Sequence, residues 1–115
     1  MSVVFVISSD WTLRTTVRAE LREAGIDALG METADQAGRA LAAGQMPSAI
    51  VLEATAPIAS DAAIQHLIQR VPTVLVASRT ETLPMPPVAA VFYRPVRIGE
   101  IVACARELLR KPHLA

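Results

Sequence analysis

Glu53 is the residue of this sequence best placed to do chemistry. It follows a continuous apolar run, Ala49 to Leu52, which predicts a central β-strand buried on both faces. The carboxylate would then stand at the carboxyl end of that strand, the edge at which open α/β sheets bind ligands and carry out reactions. Glu53 is therefore either a working acid or the remnant of one.

Apolar segments that alternate between strand and helix patterns would position this carboxylate. Period-two or continuous apolar runs predict strands over 2–7, 26–31, 49–52, 73–77 and 89–93. Apolar residues at helical spacing predict helices between Asp10 and Gly25, over 33–43, from a cap at Ser60 or Asp61 to Pro72, and over 98–109. Such alternation requires right-handed crossovers and gives a parallel sheet between two layers of helices.

The composition limits the classes of protein to which the chain can belong. Its 115 residues suffice for one core, so we expect a single domain over 1–115. Eleven basic and eleven acidic residues cancel, which argues against a nucleic-acid partner. The apolar run at the start is too short for a signal peptide or a membrane span, so we expect a cytoplasmic protein without membrane contact. A single cysteine, Cys104, excludes an internal disulfide and a thiolate metal cluster.

Three prolines interrupt the alternation before the last predicted strand. Pro84, Pro86 and Pro87 fall within residues 79–88, and each removes a backbone donor and clashes with the preceding turn of a helix. A helix of any length is therefore excluded here, and a proline-rich loop takes the place of the expected crossover helix.

Three groups of residues carry a resemblance to a known family. They are Pro47 followed by Glu53 and Pro57, Gly25 at the end of a first helix that bears Arg14, and the pair Arg94-Pro95 after the fifth strand. Over essentially its whole length the chain resembles the receiver domains of bacterial response regulators. The resemblance implies a three-layer, doubly wound, flavodoxin-like α/β fold with five parallel strands in the order 2-1-3-4-5. The proline-rich loop would shorten or replace the helix between the fourth and fifth strands.

A receiver of this family takes a phosphoryl group from a histidine kinase onto an aspartate at the end of the third strand. Its site also needs two acids that hold magnesium, a hydroxyl and a lysine, because a hard cation requires clustered oxygen ligands and the phosphoryl charge requires neutralising partners. The matching residues here are Glu53 for the aspartate, Ser8 and Ser9 for the acids, Ala77 for the hydroxyl and Arg94 for the lysine. The chain departs from the family pattern at every one of these positions.

Two neighbouring residues leave alternatives open. Asp10 follows the serine pair, but a helix cap explains it without a metal ion. Ser78 follows Ala77, and a shift of one residue in register would return a hydroxyl to the site. The guanidinium of Arg94 favours a bidentate, planar hold on a carboxylate, so we expect an ion pair with Glu53 to fill the site. Magnesium binding should then be lost or weak.

The resemblance also implies a candidate interaction surface near the proline-rich loop. Val91 stands where the family carries an aromatic residue of its signalling switch, and the missing helix would uncover apolar sheet surface. We expect Leu83, Met85 and Val88 to fold over that surface, or a second copy of the chain to cover it in a homodimer.

These features predict a non-enzymatic receiver-like domain without a cofactor. It would act as a protein-protein interaction module in two-component-type signalling, with Glu53 as a vestige of the acceptor, a permanent mimic of the phosphorylated state, or a structural residue. Two other functions remain open. One is an active phosphorylatable switch in a phosphorelay, using either Asp10 with a shifted register or Glu53 itself. The other is a flavodoxin-like domain that binds a small anionic ligand, although the chain lacks a Gly-rich strand-to-helix turn.

Overall fold

Strands and helices alternate along the chain in the order that the apolar pattern predicts. The computed structural model describes residues 2–55, 58, 60–78 and 88–110. The strands are β1 (Val3–Ile7), β2 (Asp27–Met31), β3 (Ala49–Glu53), β4 (Thr73–Ala77) and β5 (Ala90–Tyr93). The helices are α1 (Trp11–Glu23), α2 (Ala34–Ala42), α3 (Ala62–Arg70) and α4 (Ile98–Arg110). Each predicted boundary lies within about two residues of the observed one, as is usual for element ends.

The five strands form one parallel sheet in the order β2-β1-β3-β4-β5. This is the doubly wound, flavodoxin-like arrangement that the resemblance to receiver domains implies. Every residue of β3 is buried, because helices cover the central strands on both faces. Glu53 is the last residue of β3, so its side chain starts from the carboxyl edge of the sheet.

Two apolar layers hold the helices against the sheet. On one face α1 and α4 pack through fully buried residues such as Leu21 and Ile101. On the other face α2 and α3 pack through Ala37, Ile64 and Leu67. The inward positions are those of the helical periodicity, because an amphipathic helix on a sheet buries a single stripe. Within the described residues, no helix has both the length and the apolar character needed to cross a membrane.

Side-chain caps and glycines set the ends of the helices. The side chains of Asp10, Thr33 and Asp61 accept hydrogen bonds from the first-turn amides of α1, α2 and α3. Gly25 and Gly44 follow α1 and α2 with φ angles of +80° and +90°, a region that residues with a Cβ adopt at a steric cost. The three caps and two glycines therefore fix where the loops of the sheet begin.

Two arginines of α1 lie across the edge strand β2. The methylene groups of Arg14 and Arg18 cover Gly30, where an added Cβ would come within 3.2 Å of Arg14 Cγ. Arg18 Nε donates to the carbonyl oxygen of Ala28 at 3.2 Å. Backbone carbonyls of successive residues in a strand point to opposite sides. The Met31 carbonyl, three residues further on, accepts from Ser8 N on the side of β1, so the Ala28 carbonyl faces away from β1. Arg18 thus reaches round to the outer edge of the sheet.

The prediction of a proline-rich loop falls on residues outside the described part of the chain. Leu83 and Met85, expected to fold over the sheet, also lie outside it. Val88 is described: it is half-buried and packs against the layer formed by α2 and α3, as predicted.

The edge strand β5 presents its two faces to different surroundings. Phe92 is half-buried and packs into the layer of α1 and α4. Val91 and Tyr93 point to the opposite face, as alternation along a strand requires, and Val91 is 40% exposed. The position at which the family has a signalling aromatic therefore carries a small, solvent-accessible side chain.

Candidate functional site

The carboxyl ends of three strands bring five polar residues together. Ser8, Ser9 and Asp10 follow β1, Glu53 ends β3, and Arg94 follows β5. Their side chains form one hydrogen-bonded group, which we call the strand-end cluster. The sequence predicts four of these neighbours by their matched positions, and the structure places all five in contact.

Both oxygens of the Glu53 carboxylate are engaged. Oε1 accepts from Ser8 Oγ at 2.9 Å and from Ser9 Oγ at 3.3 Å. Oε2 accepts from Arg94 Nη2 in an ion pair. Glu53 is only 8% exposed, so these partners replace the water that a carboxylate would otherwise need. The ion pair predicted between Glu53 and Arg94 is present.

Every polar group of Ser8 takes part in a hydrogen bond. It is 1% exposed, and its hydroxyl donates to Glu53 while accepting from the backbone N–H of Asp10 at 3.0 Å. Its backbone N–H donates to the Met31 carbonyl at 2.9 Å, and its carbonyl accepts from Arg14 Nη1 at 2.8 Å. A buried serine with this bonding pattern is a fixed part of the site.

Arg94 joins two carboxylates through one nitrogen. Its Nη2 contacts Glu53 Oε2 and also lies 3.1 Å from Asp10 Oδ2, whereas the sequence led us to expect a two-nitrogen grip on a single carboxylate. Partial burial works against the charged guanidinium, but the hydrogen bond and charge of Glu53, followed by those of Asp10, raise the pKa of Arg94 above its ordinary value. Arg94 therefore remains a fixed positive charge at this edge of the sheet.

Asp10 has two roles, of which the sequence indicated one. Its Oδ1 caps α1 by accepting from Thr12 N at 3.0 Å and from Leu13 N at 3.2 Å. Its Oδ2 faces Arg94, a residue 84 positions away in the chain. The hydrogen bond from Leu13 lowers the pKa of Asp10 most; partial burial opposes it, and Arg94 lowers it further. Asp10 therefore both caps α1 and forms an ion pair with Arg94.

The lowered pKa of Asp10 predicts a loss of stability in acid. The folded-state pKa lies below the ordinary value of 3.8, so ionised Asp10 stabilises the protein above about pH 4, and this contribution is lost as the pH falls through the folded-state pKa. Urea unfolding of the wild type and of Asp10→Asn, which keeps a good cap, checks this. The wild type should be more stable at neutral pH and the difference should shrink below about pH 4. A difference that stays constant from neutral pH into acid would contradict the role of the charge.

The position matched to the family hydroxyl is occupied by Ala77. It ends β4, and its carbonyl accepts from Arg94 N at 2.9 Å. Its side chain is a buried methyl group within the layer of α2 and α3. Ser78 follows the end of the strand and is half-buried. The last residue of the strand therefore supplies no hydroxyl.

The strand-end cluster does not fit a magnesium ion. Such an ion demands near-octahedral oxygen ligation, mostly from carboxylates and waters. The cluster has two carboxylates, and the guanidinium of Arg94 already contacts an oxygen of each. Within the described residues, no group of three or more His, Cys, Asp or Glu side chains is arranged to hold a metal. The guanidinium of Arg94 therefore contacts the carboxylate oxygens that a magnesium ion would need as ligands.

Comparison with solved structures identifies the fold. A response regulator receiver protein from Burkholderia phymatum matches with a TM-score of 0.75 at 17% sequence identity, covering 95% of this chain and 95% of that chain. One from Pseudomonas putida matches with a TM-score of 0.73 at 18% identity, covering 92% and 96%. The N-terminal domain of a response regulator/sensory box/GGDEF three-domain protein from Carboxydothermus hydrogenoformans gives 0.75 at 14%, covering 95% and 94%.

These matches show that the chain has the fold of response regulator receiver domains. The identities are low, so the comparison concerns the backbone arrangement and not the site. No protein-family model matches the sequence. A comparison with curated proteins finds no match either. What the domain does must therefore be argued from its own residues.

Proposed function

We propose that this chain is an atypical receiver domain that takes no phosphoryl group and acts as a protein-protein interaction module in two-component-type signalling. The receiver fold supports the signalling context. The observation that carries the proposal is the state of Glu53: hydrogen bonds or an ion pair engage both of its oxygens, and Arg94 is one of the partners.

Phosphoryl transfer to Glu53 would require this arrangement to come apart. The nucleophile needs a carboxylate oxygen free to attack in line, and the transferring group needs cations around its outer oxygens. Here Oε2 faces a guanidinium and Oε1 accepts from two hydroxyls. Glu53 is also one methylene longer than aspartate, which moves the oxygen by more than about 1 Å, and a misplacement of this size can slow a reaction about a hundredfold.

The other two functions have less support. Asp10 is a poor alternative acceptor, because Oδ1 caps a helix and Oδ2 pairs with Arg94. A small anionic ligand at the strand ends would meet two carboxylates, and the guanidinium of Arg94 is already paired with both. The closed cluster instead favours a single, permanent conformation, whether Glu53 is a vestige or a mimic of the phosphorylated state.

Incubation with acetyl phosphate and magnesium, followed by intact-mass measurement, tests the phosphoryl half of the proposal. We expect no added phosphoryl group on the wild type and none on Glu53→Gln. A magnesium-dependent adduct that Glu53→Gln abolishes would overturn the proposal and favour the active switch. An adduct abolished by Asp10→Asn instead would favour the aspartate as acceptor.

Affinity capture from the native cell tests the interaction half. We expect a partner whose recovery does not change with acetyl phosphate and falls with Val91→Lys, which places a charge on the exposed face of β5. Glu107→Lys on α4 serves as the control for a charge change elsewhere, because its side chain is largely solvent-exposed. A partner whose recovery requires phosphorylating conditions would contradict constitutive docking. Light scattering during gel filtration distinguishes a second copy of the chain from a different protein.

A further inference from the structure

A cavity of about 400 Å³ opens beside the strand-end cluster. Its described lining consists of Ser9, Glu32, Thr33, Ala34, Thr55 and Ile58. These residues follow β1, β2 and β3, so the cavity lies at the carboxyl ends of three adjacent strands. The chain reverses its winding direction between β1 and β3, and in open α/β sheets such a switch point is the usual place for a small ligand.

The lining of the cavity is mostly apolar. Ala34 and Ile58 are apolar residues of this lining, and Ser9, Thr33 and Thr55 carry hydroxyls. Glu32 contributes the one charge of the described lining, which contains no basic side chain. The Thr33 hydroxyl already accepts from Gln36 N at 3.2 Å, so a capping bond occupies this end of α2. An anion would find no counter-charge among these residues.

We propose that this cavity binds a small, largely apolar molecule that carries a cationic amine. The apolar part would fill the space between Ala34 and Ile58. The amine would donate to the carboxylate of Glu32 and to the hydroxyl oxygen of Ser9, which has a lone pair free while its proton is directed to Glu53. This site is separate from the phosphoryl question and does not depend on its answer.

Ser9 connects the cavity to the strand-end cluster. Its hydroxyl donates to Glu53 Oε1 at 3.3 Å, the longest of the contacts to that carboxylate. A ligand amine that donates to Ser9 would polarise and strengthen this bond, because neighbouring hydrogen bonds are cooperative. Binding in the cavity would therefore change the hydrogen bonds of Glu53 and, through Glu53, of Arg94.

Benzylamine and benzoate are matched probes that differ in charge. We expect benzylamine to shift the amide signals of Ser9, Thr33, Ala34 and Thr55 in ¹H–¹⁵N spectra. The dissociation constant should be on the order of millimolar for a molecule of this size. Benzoate should bind about three- to tenfold more weakly at low salt. This difference in affinity between the two probes should decrease with added salt, because salt screens the charge of Glu32. The Arg94 side-chain signals should move with benzylamine and not with benzoate.

Three variants separate this site from other surfaces. Ala34→Leu fills the cavity and should abolish the benzylamine shifts, while Glu32→Gln should remove the preference for benzylamine and keep weak binding of both probes. Met46→Leu is the control, because Met46 lines a different cavity, at the amino ends of the strands. Equal binding of benzoate and benzylamine, unchanged binding by both cavity variants, or no shifts at the solubility limit of benzylamine would each overturn the proposal. If Ala34→Leu fails to fold, Glu32→Gln still decides it.

Discussion

We expect Arg94→Met to lower the free energy of unfolding by about 2 kcal/mol, the larger of two stability changes expected at this site. The substitution keeps an unbranched, flexible side chain but removes the guanidinium and its charge. Glu53, which is almost wholly buried, then loses the cation at Oε2, and Asp10 loses its partner at the same time. We place the effect below the usual cost of breaking a fully buried ion pair because Arg94 is 39% exposed and water can enter. Urea unfolding at neutral pH measures the change.

Two further variants make this expectation specific. Arg110→Met removes an arginine from a surface ion pair with Glu107 at 3.6 Å, and should change stability by less than about 0.5 kcal/mol. Combining Arg94→Met with Glu53→Leu should restore part of the lost stability, since the carboxylate left without its cation is then gone. An Arg94→Met protein as stable as Arg110→Met would mean that the ion pair does not hold the site together.

Ser8→Ala is the second substitution with a large expected effect, about 1 to 2 kcal/mol of lost stability. It removes a donor from Glu53 and leaves the amide of Asp10 without its acceptor, in a place that water reaches poorly. The side chain of serine is small, so the change in packing volume is slight and the lost hydrogen bonds dominate. Thermal and urea unfolding both report it.

Ser9→Ala provides the matched control. Ser9 contacts the same carboxylate oxygen, but at 3.3 Å and from an exposed position, so water can replace it. We expect a change of less than about 0.5 kcal/mol. Equal losses for the two alanine variants would show that burial does not distinguish the serines, and that the cluster is looser than its geometry indicates.

The fold follows from local patterns that a sequence displays directly. The continuous run at β3 predicts burial on both faces, and Asp10, Gly25 and Gly44 mark helix ends by capping and by positive φ angles. Strand order is less local. Alternation alone gives a parallel sheet between helices, whereas the order 2-1-3-4-5 came from the resemblance to receivers and is confirmed by the strand pairing.

The site could be predicted only in part. Matching strand ends places Glu53 opposite Arg94, but the single nitrogen shared with Asp10 depends on the rotamers of three side chains, which no spacing encodes. The bond from Arg14 to the Ser8 carbonyl was missed for the same reason. A signal was present in retrospect: an arginine about one turn into the first helix can reach back to the loop that precedes it.

The hydrogen bond from Arg18 to the Ala28 carbonyl affects how the edge strand β2 can pair with other chains. By occupying the outward carbonyl of Ala28, it interrupts the row of acceptors on which a stray extended segment would dock. An unfolded segment of another protein that approaches the outer edge of β2 therefore finds the Ala28 carbonyl already bonded to a guanidinium. A long charged side chain that occupies a backbone acceptor is one of the means by which an edge strand avoids pairing with another chain.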